Sequence, residues 1–145
     1  MLEIKELAGH LDNLLQRISN STHKQKNFFA EEIGISRQQF DVLCIIYEKG
    51  QVTMGELCKE ISSACSTATD LADKLEKAGY VERIREKRDR RVVRLNILVK
   101  GEKLVKSVIE RRAETLRQIL ETFDQEDRMK MISFFETLTD KLERL

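Results

Sequence analysis

Apolar residues in the opening segment fall at Ile4, Leu7, Leu11, Leu14, Leu15 and Ile18. Steps of three and four put them on one side of a helix, which predicts an amphipathic first helix from Leu2 to Ile18. The polar run Ser19-Asn-Ser-Thr22 reads as a break or as a polar stretch, with helix through Phe28 and Phe29 ending at Gly34. Ser36-Arg-Gln-Gln39 has capping-box spacing ahead of Phe40, Leu43, Cys44 and Tyr47, and Lys49-Gly50 closes that helix. Thr53-Met-Gly-Glu56 is a second capping box, opening a short helix that carries Leu57 and Ile61. Ser62-Ser63 offers an N-cap for a third helix from about Ala64 to Ala78, stopped by Gly79.

The period then changes. Val93, Leu95 and Ile97 alternate with Arg94 and Asn96, so the run from Tyr80 to Ile97 reads as two short strands around a polar tip. After Gly101 the helical spacing returns through Leu104, Val105, Val108, Ile109, Leu116, Ile119, Leu120 and Phe123. Asp124 caps a last helix bearing Ile132, Phe135, Leu138, Leu142 and Leu145. The predicted fold class is mainly α with a small β-hairpin wing: a winged helix-turn-helix lobe flanked by long helices. The length favours one domain, 1–145. Within it, 1–33 is an N-terminal helical arm, 36–98 the lobe and 100–145 a C-terminal helical pair. The flanking helices carry more apolar surface than the lobe can cover. They are expected to bury it against a second copy in a homodimer, with an intramolecular bundle as the alternative.

Charge sharpens the picture. Between Val81 and Arg94 stand seven Arg or Lys against three Asp or Glu, a local balance of +4 in a chain whose total is +1. A cationic finger on a near-neutral molecule suits a polyanion, because each neutralised phosphate releases condensed counterions. Double-stranded DNA is therefore the first partner to consider. A winged-helix adaptor that grips a protein is the alternative reading of the same lobe.

Turning the third helix by 100° per residue collects Ala64, Ala68, Leu71, Ala72 and Leu75 on a core-facing side. Ser66, Asp70, Asp73 and Lys77 point away, flanked by Thr69 and Lys74. The N-terminal residues of such a helix reach base edges in the major groove, which selects Ser66, Thr67, Thr69 and Asp70 as readers. Helix-start capping is the competing role for the hydroxyls, and a solvated charge the competing role for Asp70.

Three blocks make the chain resemble the MarR-type (multiple-antibiotic-resistance-regulator) transcriptional regulators over nearly its whole length. They are Ser66-Thr-Ala-Thr-Asp-Leu-Ala-Asp-Lys-Leu-Glu-Lys-Ala-Gly-Tyr-Val81, Asp89-Arg-Arg91 followed by Val92-Val93, and Lys100-Gly101. Asp70 departs from the family, which often has a basic residue there, and Leu98 stands where Thr or Ser commonly precedes the fifth helix. The resemblance implies a repressor of a pseudo-palindromic operator, released by a small-molecule effector. It also implies that Arg91 enters the minor groove with Asp89 holding its guanidinium, and that Lys87, Arg88, Arg90 and Arg94 meet or support phosphates. Arg37, Lys59 and Lys74 are weaker phosphate candidates.

The remaining chemistry is sparse. No nucleophile elbow, P-loop or dinucleotide fingerprint is present, so an enzyme is not expected, nor a cofactor. His10 and His23 lack neighbours at ligand spacing, so a zinc site is not expected. Three cysteines without a CxxC pair suit a reducing cytoplasm. Cys44 falls on a core face; Cys65, near the start of the third helix, reads as a half-buried filler or, alternatively, as the thiol of a redox-switched regulator. No apolar run reaches the roughly 20 residues a membrane span needs, and the first residues lack the layout of a secretory signal.

Overall fold

The computed structural model describes Met1, residues 3–61 and residues 64–145. Among the described residues six helices and three strands run in the order α1 (Ile4–Ile33), α2 (Arg37–Lys49), β1 (Gln51–Thr53), α3 (Met54–Glu60), α4 (Cys65–Lys77), β2 (Val81–Arg85), β3 (Val93–Ile97), α5 (Val99–Glu121) and α6 (Gln125–Glu143). The chain forms two compact units, Met1–Val108 and Ile109–Leu145. No helix is long and apolar enough to cross a membrane among the described residues.

Of the two readings of Ser19–Thr22, a break or a polar stretch, the second holds: α1 is continuous for 30 residues. Nothing there forces a bend: the segment has no proline or glycine, and the Thr22 hydroxyl donates to the Ile18 carbonyl at 2.9 Å, satisfying itself within the helix. α1 stops at Gly34, whose φ of +84° is open to glycine at little cost, and the Gly34 and Ile35 N–H groups both reach the Ala30 carbonyl.

Both predicted capping boxes form. Ser36 Oγ accepts the Gln39 N–H at 3.1 Å while Gln39 Oε1 accepts the Ser36 N–H at 2.7 Å. Thr53 and Glu56 repeat the exchange at 3.1 and 2.9 Å. The Ser62-Ser63 cap lies outside the described residues; α4 has Ala64 at its N-cap position, without a side-chain cap hydrogen bond. Ala64, expected to face the core, is exposed, because the buried stripe of α4 begins only at Ala68 and continues through Leu71, Ala72 and Leu75.

The two expected strands gain a third. β1 pairs antiparallel with β3, which pairs antiparallel with β2, so β3 is central. Val52 and Arg83 both stand opposite Leu95, the buried centre of the sheet. A three-residue strand with one buried side chain leaves no alternation to read, which is why β1 escapes sequence inspection.

The core of the first unit joins Phe40, Val42, Leu43 and Ile46 of α2 to Leu57, to the buried stripe of α4, to Val52, Val81 and Leu95, and to Leu104, Val105 and Val108 of α5. At its edge the chain passes from wing to α5 through one tight junction. The Leu98 N–H donates to the Tyr80 carbonyl at 2.9 Å, and the Leu98 carbonyl accepts the Glu102 N–H at 3.0 Å, opening α5 without a hydroxyl cap. Lys100 Nζ donates to the Ala78 carbonyl at 2.6 Å and lies 4.5 Å from the Tyr80 ring centre. In the second unit Asp124 Oδ1 accepts the Asp127 N–H at 2.9 Å, and Arg128 Nε donates to the Leu120 carbonyl at 2.7 Å, placing a cation on the last turn of α5.

Gly101 is where the junction tolerates least. A Cβ there would stand 2.5 Å from the Tyr80 carbonyl oxygen, 2.8 Å from Ile97 Cγ1 and 3.2 Å from Leu43 Cδ1. Gly101→Ala is expected to lower the unfolding free energy by about 1–3 kcal/mol despite the better helix propensity of alanine. Urea denaturation checks this; an unchanged or raised midpoint would contradict the packing described.

Candidate nucleic-acid interface

α4 has the amphipathic arrangement of a recognition helix. Its buried stripe is small, Ala68, Leu71, Ala72 and Leu75, so the helix lies close against the lobe and presents the opposite face to solvent. Ser66, Thr69 and Asp70 sit exposed on that face, with Asp73, Lys74, Glu76 and Lys77 farther along. The Thr69 hydroxyl donates to the Cys65 carbonyl at 2.9 Å, leaving its oxygen able to accept a hydrogen bond. Thr67 differs from these three. It is half-buried and, with Gln38, Asp41, Ile45, Glu60 and Leu71 among others, lines a groove of about 320 Å³ between α2, α3 and α4.

Asp70, an exposed carboxylate on the outward face of α4, pairs with Lys74 Nζ at 2.9 Å one turn later. Both side chains are exposed, so the pair adds only a few tenths of a kcal/mol to stability. Its effect is to offset the negative charge on the outward face. Of the other phosphate candidates on the lobe, Lys59 is exposed, while Arg37 faces Asp41 at 3.8 Å and His23 Nδ1 at 3.3 Å.

The wing is the β2–β3 hairpin and its tip. The Glu86 N–H donates to the Val92 carbonyl at 3.1 Å and the Val92 N–H to the Asp89 carbonyl at 3.0 Å, closing the tip as a tight turn. Asp89 organises the side chain at its apex: Oδ1 accepts both the Arg91 N–H at 3.0 Å and Arg91 Nε at 3.1 Å, and Oδ2 lies 3.3 Å from Arg91 Nη2. The Arg91 side chain is nevertheless 91% exposed, held in one direction but open to a partner. Hydrogen bonds from the Arg91 side chain and then from its backbone N–H hold the Asp89 carboxyl below the usual range, against the opposing effect of burial. Lys87, Arg88 and Arg90 are exposed beside it, so residues 87–91 present four cations around one carboxylate. Arg94 is half-buried and bonded to Glu86. Arg85 Nη1 donates to the Arg90 carbonyl at 3.3 Å.

Sequence inspection misses one set of residues. Arg83, one of the seven cations of the finger, turns back onto α4, where Nη2 lies 2.6 Å from Asp73 Oδ1 and Nη1 2.9 Å from Glu76 Oε1. Its backbone N–H donates to Glu76 Oε2 at 3.0 Å. Burial opposes the charge on Arg83, but the hydrogen bonds and charges of Asp73 and Glu76 prevail and raise its pKa. The signal is present in outline: Asp73 and Glu76 share a helix face, and Arg83 is the central residue of the next strand.

Cys65 is exposed, not a half-buried filler, because it is the first residue of α4 and precedes the buried stripe. The neighbouring Cys65 thiol first, then burial, pushes the Cys58 thiol on α3 up. Cys44 is partly buried against the core, as its helical position implied. Among the described residues no three His, Cys, Asp or Glu side chains gather closely enough to hold a metal ion.

The comparisons with known proteins agree with this geometry. The MarR family model matches residues 35–93, from just before α2 to the start of β3. The HTH-type transcriptional regulator YsmB of Bacillus subtilis is 36% identical over 138 residues, covering 95% of this chain and 92% of the relative. A MarR family protein from Bacillus stearothermophilus superposes with a TM-score of 0.83 at 34% identity, covering 99% of this chain and 97% of that one. The transcriptional regulator Tm0710 from Thermotoga maritima does so with a TM-score of 0.82 at 32% identity, over 94% and 96%. Recognition helix, charged wing and whole-length likeness converge: the chain belongs to the MarR family and is a DNA-binding transcriptional regulator with a winged helix-turn-helix fold, not an enzyme.

Proposed function

We propose that the protein works as a homodimer on a pseudo-palindromic operator. The two α4 helices enter successive major grooves about 34–36 Å apart, and the two wings reach adjoining minor grooves. Ser66, Thr67, Thr69 and Asp70 address base edges, Asp70 by accepting from cytosine N4. Arg91 occupies the minor groove, while Lys74, Lys87, Arg88, Arg90 and Arg94 meet or support phosphates. The observation that carries the reading is the Asp89 carboxylate gripping an otherwise exposed Arg91: an arginine held ready costs less to order when it binds.

Dimerisation falls to 1–33 and 100–145, on either side of the 36–98 lobe. Each long helix supports this by exposing apolar residues at helical spacing: Leu7, Leu11 and Ile18 in α1, Ile109, Leu116 and Ile119 in α5, and Ile132, Phe135 and Leu142 in α6. A dimer bound across two grooves blocks polymerase and so represses. In this reading, a cytoplasmic small molecule that favours a different spacing of the two lobes lifts the repression, to the extent that its affinity differs between the two states.

A second route of release would use Cys58 and Cys65, free thiols close enough for Cys65 to raise the pKa of Cys58. Oxidation of the two thiols by hydrogen peroxide would give a disulfide and two waters, and would join α3 to the first turn of the recognition helix.

Selection of bound duplexes from a random pool is expected to recover an inverted repeat. On such a duplex log K should fall with log salt by about 0.9 per phosphate neutralised, whereas a protein-binding adaptor would leave duplex DNA unbound. Arg91→Ala is expected to cost about 1–3 kcal/mol in a gel-shift titration, and Lys141→Ala, on α6, close to nothing; equal affinities would remove Arg91 from the interface. Asp89→Ala should weaken binding less than Arg91→Ala and add little in the double mutant, since the carboxylate acts through the guanidinium. For the thiol route, peroxide should weaken operator binding reversibly by dithiothreitol in the wild type but not in Cys65→Ser. Unchanged affinity with Cys65 demonstrably oxidised would dismiss it.

A further inference from the structure

Recognition helix and wing meet DNA at separate places, so their relative angle decides whether both can be seated at once. The turn between them is short, Ala78-Gly79-Tyr80, and fixes where β2 begins. It does not by itself fix the swing of the hairpin. β2 is an edge strand, hydrogen-bonded to β3 on one side only. On its other side the Arg83 N–H is taken by Glu76 Oε2 of α4 at 3.0 Å, and the same carboxylate receives Arg83 Nη1 at 2.9 Å. Asp73, one turn earlier on α4, receives Nη2 at 2.6 Å. One arginine thus ties the open edge of the wing to two successive turns of the recognition helix by two hydrogen bonds, one of them through its backbone, and an ion pair.

We propose that Arg83 is a positioning residue for DNA binding: its guanidinium, forked between Asp73 and Glu76, sets the angle between recognition helix and wing so that the two enter neighbouring grooves in one register. The inference rests on both elements touching DNA, and adds a residue that touches none. A planar guanidinium suits the task because its donors are rigidly spaced, so two carboxylates on successive turns define its plane. The Arg83 side chain is 26% exposed while Asp73 and Glu76 are 55% and 42% exposed, so the cluster sits at the surface and adds little to global stability. Its effect is on direction. Beyond Arg83 the strand continues only through Ile84 and Arg85 before the tip bearing Arg91, so a small change of angle at residue 83 is magnified where the wing meets the groove.

Charge alone offers a rival account. Asp73 and Glu76 lie on the face of α4 that carries Asp70, and Arg83 could merely neutralise them before a polyanion approaches. The two accounts part on a triple variant. The test uses the full-length protein and a duplex carrying the inverted repeat recovered by selection, with affinity read by gel shift, wing contact by hydroxyl-radical footprinting across the minor groove, and folding by thermal midpoint. Arg83→Ala is expected to keep a near-wild-type midpoint, lose roughly tenfold in affinity, as for one groove contact, and lose protection of the flanking minor groove specifically. Arg83→Lys, which keeps the charge but not the fork, should fall between. The triple variant Arg83→Ala, Asp73→Asn, Glu76→Gln removes the acids as well, and should bind random duplex at least as well as the wild type yet still lack the minor-groove footprint. Full recovery of affinity and footprint in the triple variant would overturn the proposal in favour of charge masking. So would wild-type affinity in Arg83→Ala or, were that variant to unfold, in Arg83→Lys. If the wild type itself leaves the duplex unbound, the DNA reading falls with it; if the wild type binds and the variants bind equally, only the role of Arg83 falls.

Discussion

The close approach of α5 to the Tyr80 carbonyl is the constraint on which the DNA-facing parts depend. At this one place the end of the recognition helix, the start of β2, the end of β3 and the first turn of α5 converge. They are joined by the Leu98–Tyr80 and Lys100–Ala78 hydrogen bonds and by the absence of a side chain at Gly101. Because Leu104, Val105 and Val108 belong to the same core as the α4 stripe, the first half of α5 and the recognition helix share one packed body. Packed interiors resist gradual deformation, so a displacement at the start of α5 is passed to α4 and the wing as a shift of that body, not absorbed by local softness.

Charge is partitioned as carefully as apolar surface. On α4 and the strands around the wing, acids are largely matched by cations from the same lobe: Asp70 by Lys74, Asp73 and Glu76 by Arg83, Glu86 by Arg94. Within the α4–wing segment, positive charge in excess is concentrated at the tip, residues 87–91. A chain with a net charge of +1 therefore presents a locally strong field without a globally basic surface. This arrangement favours a steep response to where DNA lies relative to the tip over general adhesion to polyanions.

Much of this is legible in the sequence, for reasons that differ by element. Ser36-x-x-Gln39 and Thr53-x-x-Glu56 declare helix starts because both partners of the cap lie three residues apart, within sequence reach. The stripe Ala68, Leu71, Ala72 and Leu75 declares a buried face by period. The failures are also physical. Ser19–Thr22 resembles a break because its residues are polar, yet polarity on the exposed side of a helix breaks nothing. β1 exists only through its pairing with residues 94–96 of β3, some forty positions away, and carries no pattern of its own. Rotation alone assigns Ala64 and Cys65, and rotation does not say where the neighbouring core begins. Arg83 reads as part of a cationic run because a tally of charge ignores direction; its two partners lie on a preceding helix, and no fixed sequence offset links a strand edge to a helix face.

Thr53 carries a consequence of its own. It is the last residue of β1, opposite Arg94, and also the N-cap of α3, where its hydroxyl and backbone N–H are both engaged by Glu56. Strand and helix therefore cannot fray separately: peeling β1 from the sheet uncaps α3, and loosening the first turn of α3 frees the sheet edge. The two behave as a single cooperative opening unit, with amide protons that exchange together although they belong to different kinds of secondary structure.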